Sequence, residues 1–266
     1  MRQTRYTSKG QNMNEIVTEQ SGSILRVQLN RPAKKNAMTS SMYIALAEVI
    51  AAAAGDEQTH VVVWHGAGDA FCAGNDVEDF LTNPPGPGDP PQARLMIALI
   101  DFNKPLIAAV HGAAIGGGAT MLTHCDFVYA AENTKFQLPF VDLALVPEFG
   151  SSYSIPASLG YVRAAELLLL GLPLDAKQAA EWGFVTRVVP LETILATATE
   201  TAQKLAAKST GALMACKRLM KRASLARIEE AINVENEEFI ARVRSADAKE
   251  ALSAFLQKRK PQFQGR

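Results

Sequence analysis

Short apolar runs separated by glycine and proline dominate the first half of the chain. Branched apolar residues crowd positions 24–29, and further runs occupy 61–65, 106–110 and 127–130. Runs of about four to eight apolar residues between turn residues are typical of buried strands. Because glycine turns and helical patterns alternate with these runs, the sequence predicts parallel pairing between 61–63 and 106–110 in an α/β core.

Apolar residues at helical spacing predict a helix that begins at Thr39 or Ser40, as N-cap, and continues to Ala54. From Ser151 onward glycines become rare and helical patterns dominate, interrupted by a brief strand at 187–189. The patterns cover 163–170, 175–182, 191–208, 212–222, 228–242 and 248–256. The second half of the chain is therefore expected to be mostly helical.

Two segments show neither pattern. Residues 1–14 are polar and lack the apolar core of a secretory signal, so we expect a disordered polar tail there. Residues 82–91 contain five prolines and two glycines and are expected to form an exposed loop. The predicted organisation is this tail, an α/β core with the functional site over 15–200, and a helical C-terminal region over 201–266.

Charge and composition narrow the function classes. The 27 basic residues are balanced by 27 acidic ones, which leaves no basic surplus for a nucleic-acid backbone. The most apolar stretch, 106–122, is interrupted by His111 and by glycines, so it is not expected to span a membrane. The three cysteines are scattered and no histidine has the spacing of a zinc site, so the sequence predicts no metal and a cytoplasmic location. A nicotinamide-dependent dehydrogenase is disfavoured because no GxGxxG motif with a downstream acid occurs.

Charged residues cluster on two of the predicted C-terminal helices. They are Lys217, Arg218, Lys221 and Arg222 on the first, and Glu229, Glu230, Glu235, Glu237 and Glu238 on the second. We interpret both clusters as solvated faces with some ion pairing between the helices. Asp126 is expected to make a structural ion pair or a turn contact, and His111 to be a core histidine with its hydrogen bonds satisfied.

Two loops carry small residues where a strand is followed by a helix. One is Ala-Gly-Asn-Asp at 73–76, and the other is Ile-Gly-Gly-Gly at 115–118. Glycines in such loops let a ligand approach the backbone and let free N–H groups face a negative oxygen. Two loops of this kind together can form an oxyanion hole, although each alone is equally compatible with a simple tight turn.

With their neighbours, these loops resemble the enoyl-CoA hydratase/isomerase (crotonase) superfamily over most of the chain. The matching stretches are LNRPAKKNAM (29–38), FCAGNDVEDF (71–80), KPLIAAVHGAAIGGGATM (104–121), LALVPEFGSSY (143–153), AAEWGFVTRVVP (179–190) and FLQKRKPQF (255–263). The resemblance implies an α/β fold, a crotonase-like spiral of repeated ββα units with a C-terminal helical trimerisation region. It also implies an acyl-CoA substrate, no separate cofactor, and a homotrimer or a dimer of trimers.

The resemblance also assigns binding residues. It implies that the backbone N–H groups of Asn75 and Gly117 bind the thioester carbonyl oxygen and stabilise an enolate. The coenzyme A moiety would lie near five positions that match the family's nucleotide cradle, Lys34, Ala37, Ala73, Asp76 and Val77. Lys258 and Lys260 either reach the phosphates or belong to a solvated tail.

The carboxylates decide which reaction of the superfamily is expected. Similar hydratases carry two glutamates that activate water, at places that here hold Thr120 and Phe140, and Phe140 is instead assigned to the substrate-binding set. Glu148 remains, in a Pro-Glu-x-x-Ser-Ser-Tyr segment like that of 3-enoyl-CoA isomerases. Its apolar neighbours should raise its pKa toward that of a general base. We therefore predict that Glu148 moves a proton from C2 to C4 and converts 3-enoyl-CoA to 2-enoyl-CoA.

Other functions remain open at this level. One alternative is hydration of enoyl-CoA, and another is an aroyl-CoA dehalogenase or hydrolase reaction, whose nucleophilic aspartate matches Glu148. The dehalogenase branch also uses a tryptophan and a histidine, at places that hold Phe140 and Ile97 here. A third alternative is a non-catalytic acyl-CoA-binding protein, in which Glu148 merely caps the helix that begins near Ser151. A Glu148 side chain directed into the acyl pocket would favour an enzyme, and one directed to solvent would favour a binding protein.

Overall fold

The computed structural model describes residues 15–86, 88 and 90–263. The predicted tail at 1–14 lies outside the described residues, as do positions 87 and 89 of the predicted loop. Strands in the described part of the chain form two sheets. They are β1 (Ile16–Ser21), β2 (Ile24–Leu29), β3 (Val61–Gly66), β4 (Leu106–Val110), β5 (Ala113–Ile115), β6 (Phe127–Ala131), β7 (Lys135–Gln137), β8 (Leu174–Asp175) and β9 (Arg187–Val189).

The larger sheet has the strand order β1-β2-β3-β4-β6-β9, and the smaller sheet has the order β5-β7-β8. In the larger sheet β1 and β2 form an antiparallel hairpin, and the other neighbours are parallel. The predicted pairing of β3 with β4 is confirmed, with Val62 opposite Leu106 and His65 opposite Ala109. The predicted α/β class is confirmed as well.

Helices connect the strands and make up most of the second half of the chain. They are α1 (Ser40–Gly55), α2 (Val77–Thr82), α3 (Pro91–Asp101), α4 (Gly117–Thr120), α5 (Ser151–Leu159), α6 (Tyr161–Leu168), α7 (Ala176–Trp182), α8 (Ile194–Ala206), α9 (Thr210–Lys221), α10 (Leu225–Val243) and α11 (Ala246–Leu256). Thr39 is the N-cap of α1, because its side chain accepts a hydrogen bond from Met42 N. The C-terminal helices and the strand at 187–189 are present as predicted, with helix ends displaced by a few residues.

Helix α3 was not among the predicted elements. It follows the proline-rich loop directly, and Pro91, the last residue assigned to that loop, is its first residue. Proline suits this position because the first N–H of a helix has no partner within the helix. The buried residues Leu95, Met96, Leu99 and Ile100 carry the spacing that would have revealed the helix.

Both faces of the larger sheet are covered around its central strands, which explains why β3, β4 and β6 are nearly continuous apolar runs. One face contributes Val62 and Trp64 of β3 to the main core, which also contains the buried apolar residues of α1 and α3. The other face packs against α8, where Val63 meets a helix stripe that includes Ala198 and Ala202. The predicted domain boundary between 200 and 201 thus falls inside a helix whose residues on both sides of it join one core.

The charged C-terminal helices are not uniformly solvated. Lys217 is buried, and its Nζ donates to Asp126 Oδ2 at 2.7 Å and to the Lys104 carbonyl oxygen at 3.0 Å. This contact confirms the structural ion pair expected for Asp126. Glu235 is also buried and accepts hydrogen bonds at the start of α5. The prediction of solvated faces is therefore wrong for Lys217 and Glu235, because each has polar partners on a segment far away in the sequence.

Candidate active site

The two glycine loops touch each other directly. Cys72, which precedes the first loop, forms an isolated parallel bridge with Ala114 of β5. A Cβ atom at Gly74 would lie 2.8 Å from the Ile115 carbonyl oxygen, and one at Gly118 would lie 2.6 Å from the Cys72 carbonyl oxygen. Such a contact requires glycine, because any side chain would force the two backbones apart.

Asn75 and Gly117 each present a backbone N–H group at the junction of these loops. Met38 donates to the Gly74 carbonyl oxygen and accepts from Asp76 N, so the N–H of Asn75, between them, faces away from Met38. Gly117 is the first residue of α4, where an N–H has no acceptor within its own helix. Both residues line one cavity. This arrangement suits the predicted oxyanion hole, which requires two backbone donors on the wall of one cavity.

The cavity has a volume of about 290 Å³ and a mostly apolar wall. All the residues assigned to the site from the sequence lie on this wall, namely Lys34, Ala37, Ala73, Asn75, Asp76, Val77, Gly117, Phe140 and Glu148. Helices α10 and α11 add Phe239, Leu252, Phe255 and Leu256, which the sequence analysis did not assign to the site. Nothing in their local pattern distinguishes them from ordinary core or surface residues. The individual roles of the assigned residues stay predictions.

Glu148 is a buried carboxylate on the cavity wall. Its side chain is 3% exposed, and Oε1 has no hydrogen-bond partner among the described residues. Burial is the largest cause that raises the pKa of Glu148 to about 8, and repulsion from the Glu235 carboxylate raises it further. A hydrogen bond with the Asn75 side chain works in the opposite direction. A carboxyl group with this pKa can both take up and release a proton near neutral pH.

Glu148 does not use its side chain to cap α5. The N-cap of this helix is Gly150, and Glu148 contributes its backbone carbonyl oxygen, which accepts from Ser151 N at 3.2 Å. The carboxyl group is directed into the cavity instead. Of the two orientations considered from the sequence, the structure therefore has the one that favours an enzyme.

Tyr43 orients the side chain of Asn75. The Tyr43 hydroxyl donates to Asn75 Oδ1 at 2.8 Å. The amide NH₂ group of Asn75 is therefore the part of the side chain that donates to Glu148. Burial raises the pKa of Tyr43 well above its usual value, which keeps the hydroxyl protonated as a donor. In the sequence Tyr43 has the pattern of an ordinary core residue of α1, so nothing in the sequence indicated its contact with Asn75.

The turn that carries Glu148 is held from two sides. Phe149 and Gly150 have φ angles of +63° and +68°, in the left-handed region. His124 Nε2 donates to the Phe149 carbonyl oxygen at 2.9 Å, and burial is the largest cause that lowers the pKa of this histidine to about 4. On the other side, Glu235 accepts hydrogen bonds from the backbone N–H groups of Gly150 and Ser152, each at 2.7 Å. His124 and Glu235 were not assigned to the site from the sequence.

Asp76 and Lys34 both line the cavity but differ in exposure, since Asp76 is buried and Lys34 is exposed. Asp76 caps α2 through the N–H groups of Glu78 and Asp79 and also pairs with Arg31. Burial alone would raise the pKa of Asp76, but these hydrogen bonds and the arginine charge lower it overall. The carboxylate of Asp76 is thus committed to contacts within the protein. The Nζ atom of the exposed Lys34 lies 3.3 Å from Glu78 Oε2 and forms an exposed ion pair with it.

Several residues considered from the sequence lie away from the cavity wall. Thr120 is buried within α4, Ile97 is exposed on α3, and Lys258 and Lys260 are exposed near the C-terminal end. The ring of His111 is hydrogen-bonded to the Gly68 carbonyl oxygen at 3.0 Å, as expected for a core histidine.

Two further properties of the described residues bear on the function. They contain no group of three or more histidine, cysteine or acidic side chains that could hold a metal ion. No helix in that part of the chain is long and apolar enough to cross a membrane.

Comparison with known proteins gives a consistent match over nearly the whole chain. Residues 19–266 match the sequence family described as enoyl-CoA hydratase/isomerase. The 1,2-epoxyphenylacetyl-CoA isomerase of Escherichia coli (strain K12) is 35% identical over 96% of this chain and all of its own length. The 2,3-dehydroadipyl-CoA hydratase of the same organism is 34% identical over 96% of this chain and all of its own length.

A solved structure shows the same fold. The crystal structure of an enoyl-CoA hydratase/isomerase from Pseudoalteromonas atlantica T6c is 34% identical and superimposes with a TM-score of 0.90. The match covers 94% of this chain and 99% of that one.

Proposed function

Because the chain belongs to the enoyl-CoA hydratase/isomerase family, we propose that it converts 3-enoyl-CoA to 2-enoyl-CoA by moving a proton from C2 to C4. The resemblance that the sequence motifs indicated is confirmed at the level of the family and of its crotonase-like fold. The relatives include an isomerase and a hydratase at nearly equal identity. The choice between these reactions therefore rests on the residues of the cavity.

One observation carries the proposal, namely that Glu148 is a buried carboxyl group on the cavity wall with no ion pair among the described residues. Among described residues, three acids line the wall, Asp76, Glu78 and Glu148. Asp76 is paired with Arg31, and Glu78 lies beside Lys34 at the surface. Glu148 alone of the three is buried without a cationic partner in the contacts described, and its pKa of about 8 suits proton transfer.

The proposed reaction needs one base and two donors. With the thioester oxygen held by the N–H groups of Asn75 and Gly117, the carboxylate of Glu148 removes a proton from C2. The electrons of the C–H bond then form a dienolate whose negative charge lies on the thioester oxygen. Return of the same proton to C4 moves the double bond into conjugation with the carbonyl. The step is redox-neutral, and no water is consumed.

Hydration is less well supported because it requires a second acid or base to orient water. The two positions that would supply glutamates hold Thr120, which is buried within α4, and Phe140, whose ring lies on the cavity wall. Neither side chain exchanges a proton near neutral pH. The dehalogenase alternative likewise lacks its histidine, because the matching place holds Ile97, which is exposed on α3.

The test is an assay of the purified protein with 3-enoyl-CoA and 2-enoyl-CoA thioesters of several chain lengths and with an aroyl-CoA. We expect formation of the conjugated 2-enoyl thioester to be faster than hydration by at least about a hundredfold. Hydration as fast as isomerisation would overturn the assignment. Binding of all three ligands without any reaction would support a non-catalytic acyl-CoA-binding protein instead.

Assembly and location stay predictions. A homotrimer or a dimer of trimers is expected from the family resemblance and would give a sedimentation mass at least three times the 28.6 kDa of one chain. A cytoplasmic location is expected from the scattered cysteines.

A further inference from the structure

Glu235 is a buried acid that the proposed reaction does not use directly. It lies on α10 and is 5% exposed. In the sequence it is far from the two glycine loops at 73–76 and 115–118. A buried carboxylate is costly unless its oxygens are hydrogen-bonded. Both oxygens of Glu235 are engaged, Oε2 with Gly150 N and Oε1 with Ser152 N. The residue is therefore built into the turn that carries Glu148.

This turn has a backbone conformation that needs support. Phe149 and Gly150 both have left-handed φ angles, and this conformation is strained for Phe149 because it carries a side chain. On one side the Phe149 carbonyl oxygen is held by His124. On the other side, Ile228 and Ile232 of α10 pack closely against Gly150. A Cβ atom added at Gly150 would be 3.0 Å from the Ile228 side chain and 3.3 Å from the Ile232 side chain. Helix α10 thus supports the turn by packing and, through Glu235, by hydrogen bonds.

Electrostatics couple the same two acids. The groups that face Glu148 are Tyr43 from α1, Cys72 before the first glycine loop, the Asn75 amide, and Glu235 from α10. Burial raises the pKa of Tyr43 well above its usual value and that of Cys72 to about 12, so both are neutral in the working range. Glu235 is the one of these four whose charge raises the pKa of Glu148. Burial raises the pKa of Glu235 itself, and its hydrogen bonds with Ser152 and Gly150 oppose that change by favouring the anion.

We propose that Glu235 is a positioning residue for Glu148. By accepting from Gly150 N and Ser152 N it holds the turn that directs the base into the cavity, and as an anion it makes the base harder to ionise. This inference rests on the proposed role of Glu148 as the base. It assigns to α10 a function in the reaction besides lining the cavity through Phe239.

The test compares Glu235→Gln and Glu235→Asp with Glu237→Gln, an exposed control on the same helix. Glutamine keeps the volume but removes the charge, and its NH₂ group opposes one of the two backbone donors. We expect the plateau kcat of Glu235→Gln to fall at least about tenfold. The acidic limb of its pH profile should move to lower pH by about half a unit or more. Aspartate keeps the charge but is one methylene shorter, so it should lower the plateau and leave the limb in place.

A second measurement reads the base without any reaction. Titration of the side-chain ¹³C carboxyl signals of glutamate, with the Glu148 signal assigned from Glu148→Gln, gives the protonation of Glu148 in the absence of substrate. We expect this signal to titrate at lower pH in Glu235→Gln than in the wild type. Failure of the isomerase assay would refute the proposed function, whereas the carboxyl titration would still test the coupling of Glu235 to Glu148.

The outcomes are decisive in either direction. A folded Glu235→Gln protein with the wild-type plateau, pH limb and carboxyl titration would overturn the proposal, as would an equal change in Glu237→Gln. If Glu235→Gln does not fold, Glu235→Asp decides: a lowered plateau with an unmoved limb supports the proposal, and wild-type values for both refute it. A purely structural role would lower the stability of both variants but leave the plateau kcat, the acidic limb and the carboxyl titration of the folded protein at their wild-type values.

Discussion

The carboxyl group of Glu148 lies against the backbone of Gly117. A Cβ atom added at Gly117 would be only 2.6 Å from Glu148 Oε1. The proposed base and one of the two proposed oxyanion donors are thus in direct contact. In a thioester, C2 is bonded to the carbonyl carbon, so a base that removes a C2 proton has to lie next to the groups that bind the carbonyl oxygen. The contact between Gly117 and Glu148 meets this requirement.

Gly117→Ala should displace the base while keeping the N–H donor. The new methyl group would lie 2.6 Å from Glu148 Oε1 and 3.1 Å from the Tyr43 hydroxyl. Because the overlap with Glu148 is the more severe, its carboxyl group has to move. Misplacement of a catalytic group by about 1 Å can cost about a hundredfold in rate, and we expect a loss of at least that size in kcat. Gly211→Ala on α9 is the control, because no heavy atom lies within 4 Å of its added Cβ. Equal activity of the two variants would show that Glu148 tolerates the displacement.

Glu148→Gln should abolish proton transfer and retain binding. The amide keeps the size of the side chain but cannot accept the C2 proton, and loss of a general base typically costs about a hundredfold to ten-thousandfold in rate. The affinity for a saturated acyl-CoA, measured by calorimetry, should stay within about threefold because the proposed oxyanion donors are backbone groups. Exposed Glu230→Gln on α10 is the matched change of charge. Isomerisation by Glu148→Gln at the wild-type rate would assign the base elsewhere.

The same substitution should stabilise the protein at alkaline pH. The pKa of Glu148 is about 8 in the folded protein, against an ordinary value of 4.5. Between these values the folded state binds more protons than the unfolded state, so the contribution of Glu148 to stability is lost as pH rises toward 8. Glutamine has no such loss. We expect Glu148→Gln to exceed the wild type by about 1 to 4 kcal/mol in unfolding free energy at pH 9, and by much less at pH 5.

Chemical denaturation at the two pH values measures this difference. A stability difference that does not depend on pH would mean that Glu148 has an ordinary pKa in the folded protein. The wild type would then carry no energetic cost for a buried carboxylate in its cavity.

Lys217→Met should destabilise the fold because it leaves Asp126 without its cation. Removal of one partner of a fully buried ion pair costs about 3 to 5 kcal/mol. The Asp126 side chain is 22% exposed, so water can compensate in part, and we expect about 2 to 3 kcal/mol. Arg218→Met, at an exposed position next in sequence, should change the unfolding free energy by less than about 0.5 kcal/mol. Similar losses in both variants would argue against a special role for Lys217.

The sequence predicted those features whose causes lie close together along the chain. Strands β3 and β4 were recognisable because both faces of the sheet are covered there, which makes nearly every position apolar. Glu148, Asn75 and Gly117 were recognisable because each lies in a short motif, and the structure places all three on one cavity wall.

Other features depend on partners that are distant in sequence. Glu235 bonds to Gly150, 85 positions away, and Lys217 bonds to Asp126, 91 positions away. Each looked like one charge among several on a helix, and only tertiary packing separates it from its exposed neighbours. Tyr43 is similar, since a tyrosine in a buried helix face is the usual pattern of a core residue and reveals nothing about Asn75.

The contact between the glycine loops has a consequence for how such a cavity can diversify. Gly74 and Gly118 bring backbone against backbone, so the distance between the two N–H donors does not depend on any rotamer in the cavity. Side chains around them, such as Thr120, Phe140 and Glu148, can change without moving the donors. If these donors bind the thioester carbonyl as proposed, acids and bases can be exchanged one at a time around them. Each exchange would then change the reaction of the thioester without changing how it is bound.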